Sequence, residues 1–227
     1  MAGVGSLNEK PLHASLKAWY AQPGDRFEVN VDGFVIDIVH NDLLVEIQTG
    51  NFASIKAKLK KLLTSHRVRL IYPIALEKWI VKPEKNSGSS VTRRKSPKKG
   101  RVEDLFWEMV SIPKLMTNGM FALEVLMIRE EEVRKFVGKR KWRSRGWVTV
   151  EHRLLEVIER RLFETPLDWC ALIPNNMHSF TAKDLAEALR IRLQLAQRMA
   201  YCFRKANLIT LIGKRGRAHL YRLAEIS

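Results

Sequence analysis

The sequence predicts an α/β fold with a mixed β-sheet, followed by a mainly α-helical module at the C-terminus. Three observations support this prediction. Apolar β-branched runs alternate with amphipathic stretches in the first part of the chain, a basic polar segment interrupts this pattern at 82–101, and capped helical periodicity follows residue 148. The 227 residues, 46% of them hydrophobic, can bury a sizeable core. We therefore expect one domain over 1–147 and a second over 148–227.

The first part of the chain contains six expected elements. Leu12, Leu16 and Trp19 recur at helical spacing, whereas the segments that follow are alternating or β-branched runs separated by turn residues. A helix between two strands allows them to lie parallel, so the sheet is expected to be mixed. The elements are a helix at 7–21, strands at 25–32, 33–39 and 43–49, a helix at 53–64 and a strand at 67–81.

The middle of the chain is strongly basic. Residues 82–101 hold eight Lys or Arg residues among Ser, Gly and Pro, which predicts a mobile basic loop. This loop is either a solubilising linker or a flap that contacts phosphates. Helical spacing over 102–117 and a strand at 121–129 follow, and a second basic stretch at 134–147 contains Trp142 and Trp147, which either pack or stack on bases.

The net charge points to a polyanionic partner. Forty Lys and Arg against 24 Asp and Glu give +16 at pH 7, and a surplus of this size must lie mostly on the surface. Nucleic acid is favoured over a membrane because no stretch approaches the roughly 20 apolar residues that a span needs. The N-terminal residues lack the pattern of a signal peptide, so a cytoplasmic location is expected.

Cysteine and histidine offer no metal site of their own. Cys170 and Cys202 lie in apolar contexts without a CxxC spacing and are expected to be buried free thiols. The six histidines include no pair at i, i+4, which argues against zinc. Any metal is therefore expected to have oxygen ligands.

The strands around Asn41 and Asp42 carry a pair of carboxylates. If these two residues form a type I′ turn, the register places Asp37 opposite Glu46, and alternation brings Gln48 to the same face. Carboxylates this close repel in an apolar setting unless a cation lies between them, and hard oxygen ligands suit Mg²⁺ or Mn²⁺. The alternative is that both carboxylates simply face solvent on a half-exposed hairpin.

The motif Asp37, then Glu46-Ile47-Gln48, lies on a hairpin between two helices and resembles that of the PD-(D/E)xK nucleases, the superfamily of many restriction endonucleases. The resemblance covers roughly 7–81. It implies a restriction-endonuclease-like core in which Asp37 and Glu46 bind Mg²⁺ or Mn²⁺ and Glu9 completes the ligand shell. It further implies phosphodiester hydrolysis, double-stranded DNA as substrate and a homodimer.

One position departs from that pattern. Gln48 stands where these nucleases usually have lysine, and Gln carries no positive charge. Either Gln48 orients the attacking water, or Lys56 or Lys58 on the next helix stabilises the phosphate in the transition state. The sequence contains neither a GxSxG nor a GxxxxGK[ST] motif, which is consistent with a reaction that needs no protein nucleophile.

The C-terminal segment is expected to begin with a helix whose core stripe is Leu154, Leu155, Ile158 and Leu162. A second helix begins at the capping box formed by Thr181 and Asp184, a third spans 193–206 and ends at Asn207, and strands at 208–213 and 218–223 flank a basic turn. This order resembles a winged helix-turn-helix domain.

Such a domain either binds DNA or serves protein contacts. On the long helix, Leu195, Met199 and Phe203 are expected to face the core, which leaves basic and amide residues for the major groove and the basic turn for phosphates. The expected DNA-binding residues are Arg192, Gln194, Gln197, Arg198, Tyr201, Arg204, Lys205, Lys214, Arg215 and Arg217.

Together these features predict a metal-dependent DNA endonuclease that a winged-helix domain targets to DNA. The alternative, suggested by Gln48, is a catalytically inactive nuclease-fold DNA-binding regulator, or a subunit of a transposition or defence complex. Net charge does not distinguish DNA from RNA.

Overall fold

The computed structural model describes residues 10–83, 91–138 and 146–225. The helices are α1 (Pro11–Tyr20), α2 (Phe52–Leu62), α3 (Phe106–Met109), α4 (Pro166–Cys170), α5 (Ala182–Leu189) and α6 (Leu193–Lys205). The strands are β1 (Arg26–Val31), β2 (Phe34–His40), β3 (Leu43–Ile47), β4 (Arg67–Pro83), β5 (Val91–Lys95), β6 (Phe121–Phe136), β7 (Trp147–Phe163), β8 (Ile209–Arg215) and β9 (Ala218–Leu223). Glu9 and Trp142, singled out above, lie outside the described residues.

Seven of the strands in the described ranges form one mixed sheet in the order β1-β2-β3-β4-β6-β7, with β5 paired to the far half of β4. The first three strands are antiparallel neighbours, and β4 runs parallel to β3 because α2 carries the chain between them. Strand β6 is parallel to β4, and β7 is antiparallel to β6. The α/β class and the mixed sheet are confirmed.

The two faces of this sheet are covered by different helices. Leu12 and Leu16 of α1 pack with Ile38 and Val45 in one buried cluster. The apolar stripe of α2, which includes Leu59, belongs to a larger cluster on the other face. The helical spacing in both segments therefore produced the apolar faces expected from the sequence.

Residues 148–163 form a strand, so the helix expected there is wrong. The pairing of β7 with β6 skips three β7 residues, Val150, Leu155 and Ile158, and each is the extra residue of a bulge. Their side chains are 55%, 44% and 39% exposed. Because each bulge shifts the two-residue alternation, the apolar positions of β7 acquire a spacing that imitates a helix. This strand belongs to the main sheet, beyond the boundary expected at 147.

The basic loop expected at 82–101 is also partly wrong. Residues 82–83 end β4, and Val91–Lys95 form β5, which pairs with Trp79–Pro83. Residues 84–90 lie outside the described ranges. The helix expected at 102–117 is broken up, since α3 lies between two 3-10 turns, Val102–Leu105 and Pro113–Thr117.

The C-terminal helices share their core with the sheet. The capping boxes at Thr165 and Thr181 begin α4 and α5. The ring of Phe203 on α6 lies 5.5 Å from that of Phe106, and Trp169 stacks on Phe163 of β7 at 4.5 Å. Hairpin β8–β9 follows α6. Through these contacts α6 packs on α3, and both helices belong to the same buried cluster as α2, on one face of the sheet.

Candidate functional site

The hairpin of β2 and β3 has the register expected from the sequence. His40 pairs with Leu43, Val39 with Leu44, and Ile38 with Val45. Asn41 has the positive φ expected of it, +54°, but Asp42 does not, so the turn is not type I′. The ladder ends at Ile38, one residue before the two carboxylates would face each other.

Asp37 is held at the point where β2 and β3 separate. Its Oδ2 accepts a hydrogen bond from the backbone N–H of Ile47 at 2.8 Å and lies 3.2 Å from Nε2 of His13 on α1. Burial raises the pKa of the Asp37 carboxyl, but the contacts with His13 and Ile47 outweigh it and hold the pKa below its ordinary value. Asp37 is therefore a stable carboxylate anchored between two strands and a helix.

Glu46 is buried, with 7% of its surface exposed. Its Oε1 lies 2.5 Å from Nζ of Lys58 on α2. Burial raises the pKa of the Glu46 carboxyl to about 7, with the neighbouring charge of Asp37 adding to the rise and Lys58 opposing it. This side chain therefore changes its charge near neutral pH.

The expectation that Asp37 and Glu46 share one face of the sheet is wrong. Ile36 packs on the α2 side and Ile38 on the α1 side, so the alternation of β2 breaks at Asp37. Consequently the Asp37 carboxylate meets a residue of α1 and the Glu46 carboxylate meets one of α2. The two remain electrostatically coupled, since Asp37 raises the pKa of Glu46.

Of the remaining residues expected in the site, Lys58 contacts a carboxylate, whereas Gln48 and Lys56 point elsewhere. Gln48 donates from its amide to the backbone oxygens of Gly50 and Asn51, which turns it toward the loop before α2. Lys56 is exposed on α2, whereas Lys58 reaches back to Glu46. His13 was not identified from the sequence, because a lone histidine on an amphipathic helix carries no signal of its own.

The carboxylates provide the hard oxygen donors that Mg²⁺ or Mn²⁺ prefers. Oε1 of Glu46 is buried, and the cation beside it is the ammonium of Lys58. In the same residues, no group of three or more His, Cys, Asp or Glu is placed to hold a metal. Asp37 and Glu46 thus fit such an ion by donor type but supply only two ligands.

The C-terminal residues expected to bind DNA lie mostly on the surface. Leu195, Met199 and Phe203 are buried, as expected. Two of the arginines are engaged within the protein: the guanidinium of Arg198 lies 4.7 Å from the ring centre of Trp107, and that of Arg215 donates to Asp184 at 2.8 Å. The exposed members are Arg192, Gln194, Gln197, Tyr201, Arg204, Lys205, Lys214, Arg215 and Arg217.

These features define an α/β protein with a mixed sheet and, where β2 and β3 separate, a carboxylate–lysine cluster of Asp37, Glu46 and Lys58 in which Glu46 is buried. A family model described as "Domain of unknown function (DUF8091)" matches residues 10–164, which run from α1 to the end of β7. The chain is 32% identical over 224 residues to a protein of Treponema pallidum (strain Nichols) described as "Uncharacterized protein", covering 96% of this chain and 87% of that relative. The chain therefore belongs to the DUF8091 family. No solved structure matches it.

Among the described residues, no helix combines the length and the apolar composition that crossing a membrane requires.

Proposed function

We propose that this protein is a metal-dependent DNA endonuclease acting in the cytoplasm. The observation that carries the proposal is that Glu46, paired with Lys58, and Asp37, held by the N–H of Ile47, lie where β2 and β3 separate, close enough that the charge of Asp37 raises the pKa of Glu46. The order α1-β1-β2-β3-α2-β4, with β4 parallel to β3, is also the order expected for the PD-(D/E)xK resemblance. Similar fold order alone does not establish function, so the proposal depends on the cluster.

The side chains have separable roles in this proposal. Asp37 and Glu46 would hold Mg²⁺ or Mn²⁺, which when bound supplies polarisation of the phosphate and a water that ionises near neutral pH. Lys58 supplies the positive charge that Gln48 lacks, and its ammonium shields the two carboxylates from each other when both are ionised. The backbone N–H of Ile47 fixes the orientation of Asp37.

The C-terminal part of the chain would deliver the DNA. Helices α5 and α6 followed by hairpin β8–β9 resemble a winged helix-turn-helix. Exposed Gln194, Gln197 and Arg204 on α6 suit base edges, and Lys214 and Arg217 on the hairpin suit phosphates. Since α6 packs through Phe203 on Phe106, DNA bound there would be held at a fixed position relative to the sheet.

The test is nicking of a supercoiled plasmid with Mg²⁺ or Mn²⁺. We expect cleavage by the wild-type chain, loss of cleavage in Asp37→Ala and Glu46→Ala, and wild-type cleavage in Asp42→Ala. Asp42 is the matched control because it is an exposed carboxylate in the turn of the same hairpin. Equal cleavage by wild type and both site variants would assign the activity to a contaminant.

A second candidate is a DNA-binding protein without hydrolytic activity, which regulates or forms part of a transposition or defence complex. Two observations favour it: Lys58 already neutralises Glu46, and Gln48 faces its own loop. This candidate predicts duplex binding with no cleavage under any divalent ion.

A further inference from the structure

A cavity of about 620 Å³ lies between the start of α1, the middle of β4 and the start of β7; Asp37, Glu46 and Lys58 do not line it. It borders the part of β4 that has no strand on the β3 side, because β3 stops pairing at Ile71 and β5 begins at Trp79. Its volume lies within the range of sites that bind small molecules, roughly 300–1,000 Å³. The cavity is therefore large enough for a ligand of nucleotide size.

The cavity adjoins the proposed site through two short connections. Thr49, on its wall, lies two residues after Ile47, whose N–H holds Asp37. Lys10 and Leu12, also on its wall, belong to the start of α1, next to His13. If a phosphate of a DNA strand reached the carboxylates of Asp37 and Glu46, the neighbouring nucleotide of that DNA strand would therefore lie close to this cavity.

The lining combines aromatic surface with charges of both signs, because Asp104 and Glu151 also line the cavity, bound to the N–H of Arg101 and to the guanidinium of Arg153. Tyr72 and Trp107 contribute ring surface, and exposed Lys10 and Lys98 contribute ammonium groups. Burial raises the pKa of Tyr72 to about 12, so its hydroxyl remains a neutral donor. Aromatic rings beside cations suit a base with its attached phosphate.

The wall also contains a fixed polar network. Nζ of Lys78 lies 2.9 Å from Glu130 and 3.1 Å from Glu132, and Nδ1 of His152 lies 3.2 Å from Glu130. Lys78, Glu130 and His152 line the cavity. Nε of Arg134 lies 2.6 Å from Glu132 and supplies a second cation, so the two carboxylates are balanced and the network offers hydrogen bonds to the edge of a base without imposing a net charge.

We propose that this cavity holds one unpaired nucleotide of the DNA strand, with its base beside Tyr72 and Trp107 and its phosphate near Lys10 and Lys98. The proposal rests on the proposed nuclease function and names its substrate class: DNA with unpaired nucleotides, such as flaps, gaps or single-stranded ends. Trp107 also joins this cavity to the C-terminal module, since Arg198 of α6 lies over its ring.

The test measures binding of a fluorescein-labelled oligothymidylate by anisotropy in EDTA, where no hydrolysis occurs. Val150, a half-exposed wall residue, is changed to Trp to fill the opening, and Val91→Trp on β5 is the control because it is similarly exposed and does not line the cavity. We expect Val150→Trp to weaken binding about tenfold, the scale of one lost stacking contact, and Val91→Trp to leave it unchanged.

A second pair of variants removes charge without adding bulk. Lys98→Ala should weaken binding about threefold, the scale of one exposed phosphate contact, while the adjacent exposed Lys99, which does not line the cavity, should be replaceable by Ala without effect. If Val150→Trp does not fold, as judged by circular dichroism, this lysine pair decides the result. Equal affinities within the pairs that fold would overturn the proposal.

This binding assay is independent of the plasmid assay. If the cavity variants bind oligothymidylate more weakly than their controls but no plasmid is cleaved, the cavity proposal stands and the nuclease proposal is wrong. Cleavage with no effect of either substitution pair would keep the nuclease and remove the cavity. Preference for a blunt duplex over the single strand in the same EDTA buffer would also count against an unpaired nucleotide.

Discussion

Nζ of Lys58 lies 2.5 Å from Oε1 of Glu46 and 2.6 Å from the backbone oxygen of Val35. One ammonium group therefore ties helix α2 to both strands of the hairpin that carries the carboxylates. Lys58 is mostly buried along its length, with 17% of its side chain exposed, so this contact is better shielded from solvent than a surface ion pair. The contact links the stability of the hairpin to the chemistry of the site.

Replacing Lys58 with Met should destabilise the fold in a pH-dependent way. At pH 8 Glu46 is ionised, and loss of its cation should cost about 2 kcal/mol, typical of a hydrogen bond to a charged group. At pH 5 Glu46 is protonated, because its pKa is about 7, and the cost should be smaller. Urea unfolding at both pH values measures this, with exposed Lys56→Met as control. A loss of the same size at both pH values would show that Lys58 acts through its packing and its hydrogen bond to Val35, not through its charge pair with Glu46.

Glu46→Gln should stabilise the protein relative to wild type at high pH. The folded protein keeps a proton on Glu46 that the unfolded chain releases, so the wild-type free energy of unfolding falls as pH rises from 4.5 to about 7. Above pH 7 the full penalty, at most roughly 3 kcal/mol, is present, and Gln removes it. Melting temperatures at pH 5 and pH 8 test this. If the melting temperature of Glu46→Gln, relative to that of the wild type, is no higher at pH 8 than at pH 5, the raised pKa of Glu46 is contradicted.

Asp37→Asn should separate structure from metal binding. Asn can still accept the hydrogen bond from Ile47, so the variant should fold, with a modest fall in melting temperature because the lowered pKa of Asp37 shows that its charge stabilises the fold. Loss of the charge should weaken Mn²⁺ binding by about tenfold or more. Calorimetric titration with Mn²⁺ measures the affinity, and Asp42→Asn is the control. The control should bind Mn²⁺ as the wild type does. If Asp37→Asn also binds Mn²⁺ with wild-type affinity, Asp37 is not a ligand.

The sequence allowed the hairpin register to be predicted but not the direction of its side chains. The register follows from the two-residue turn, and His40 indeed pairs with Leu43. The orientation of Asp37 could not be predicted, because it depends on a break in alternation and on a hydrogen bond to Ile47, ten residues away. Similarly, His13 enters the site only through the packing of α1 on the sheet. Local sequence patterns predict the strands and their pairing. The site depends on the geometry where β2 and β3 separate, which those patterns do not determine.

The basic hairpin β8–β9 should contribute to DNA affinity through phosphates. Lys214→Ala and Arg217→Ala should each reduce the slope of log affinity against log salt by roughly 1 for a duplex, as expected when one phosphate contact is lost. Lys183→Ala on α5 is the control, since Lys183 is exposed and lies 3.8 Å from Glu187. Anisotropy titrations over a range of NaCl concentrations measure the slopes, and unchanged slopes would remove this hairpin from DNA binding.

Neighbouring leucines on β7 should respond differently to the same substitution. Leu154 packs against the cluster under α1, so Leu154→Lys should lower the free energy of unfolding by about 2 kcal/mol or more. Leu155 is the extra residue of a bulge and is half-exposed, so Leu155→Lys should change it by less than about 0.5 kcal/mol. A helical stripe, as first expected for this segment, would bury both side chains and make both substitutions costly. Urea unfolding of the two variants therefore discriminates the bulged strand from the helix, and equal losses would contradict the register of β7.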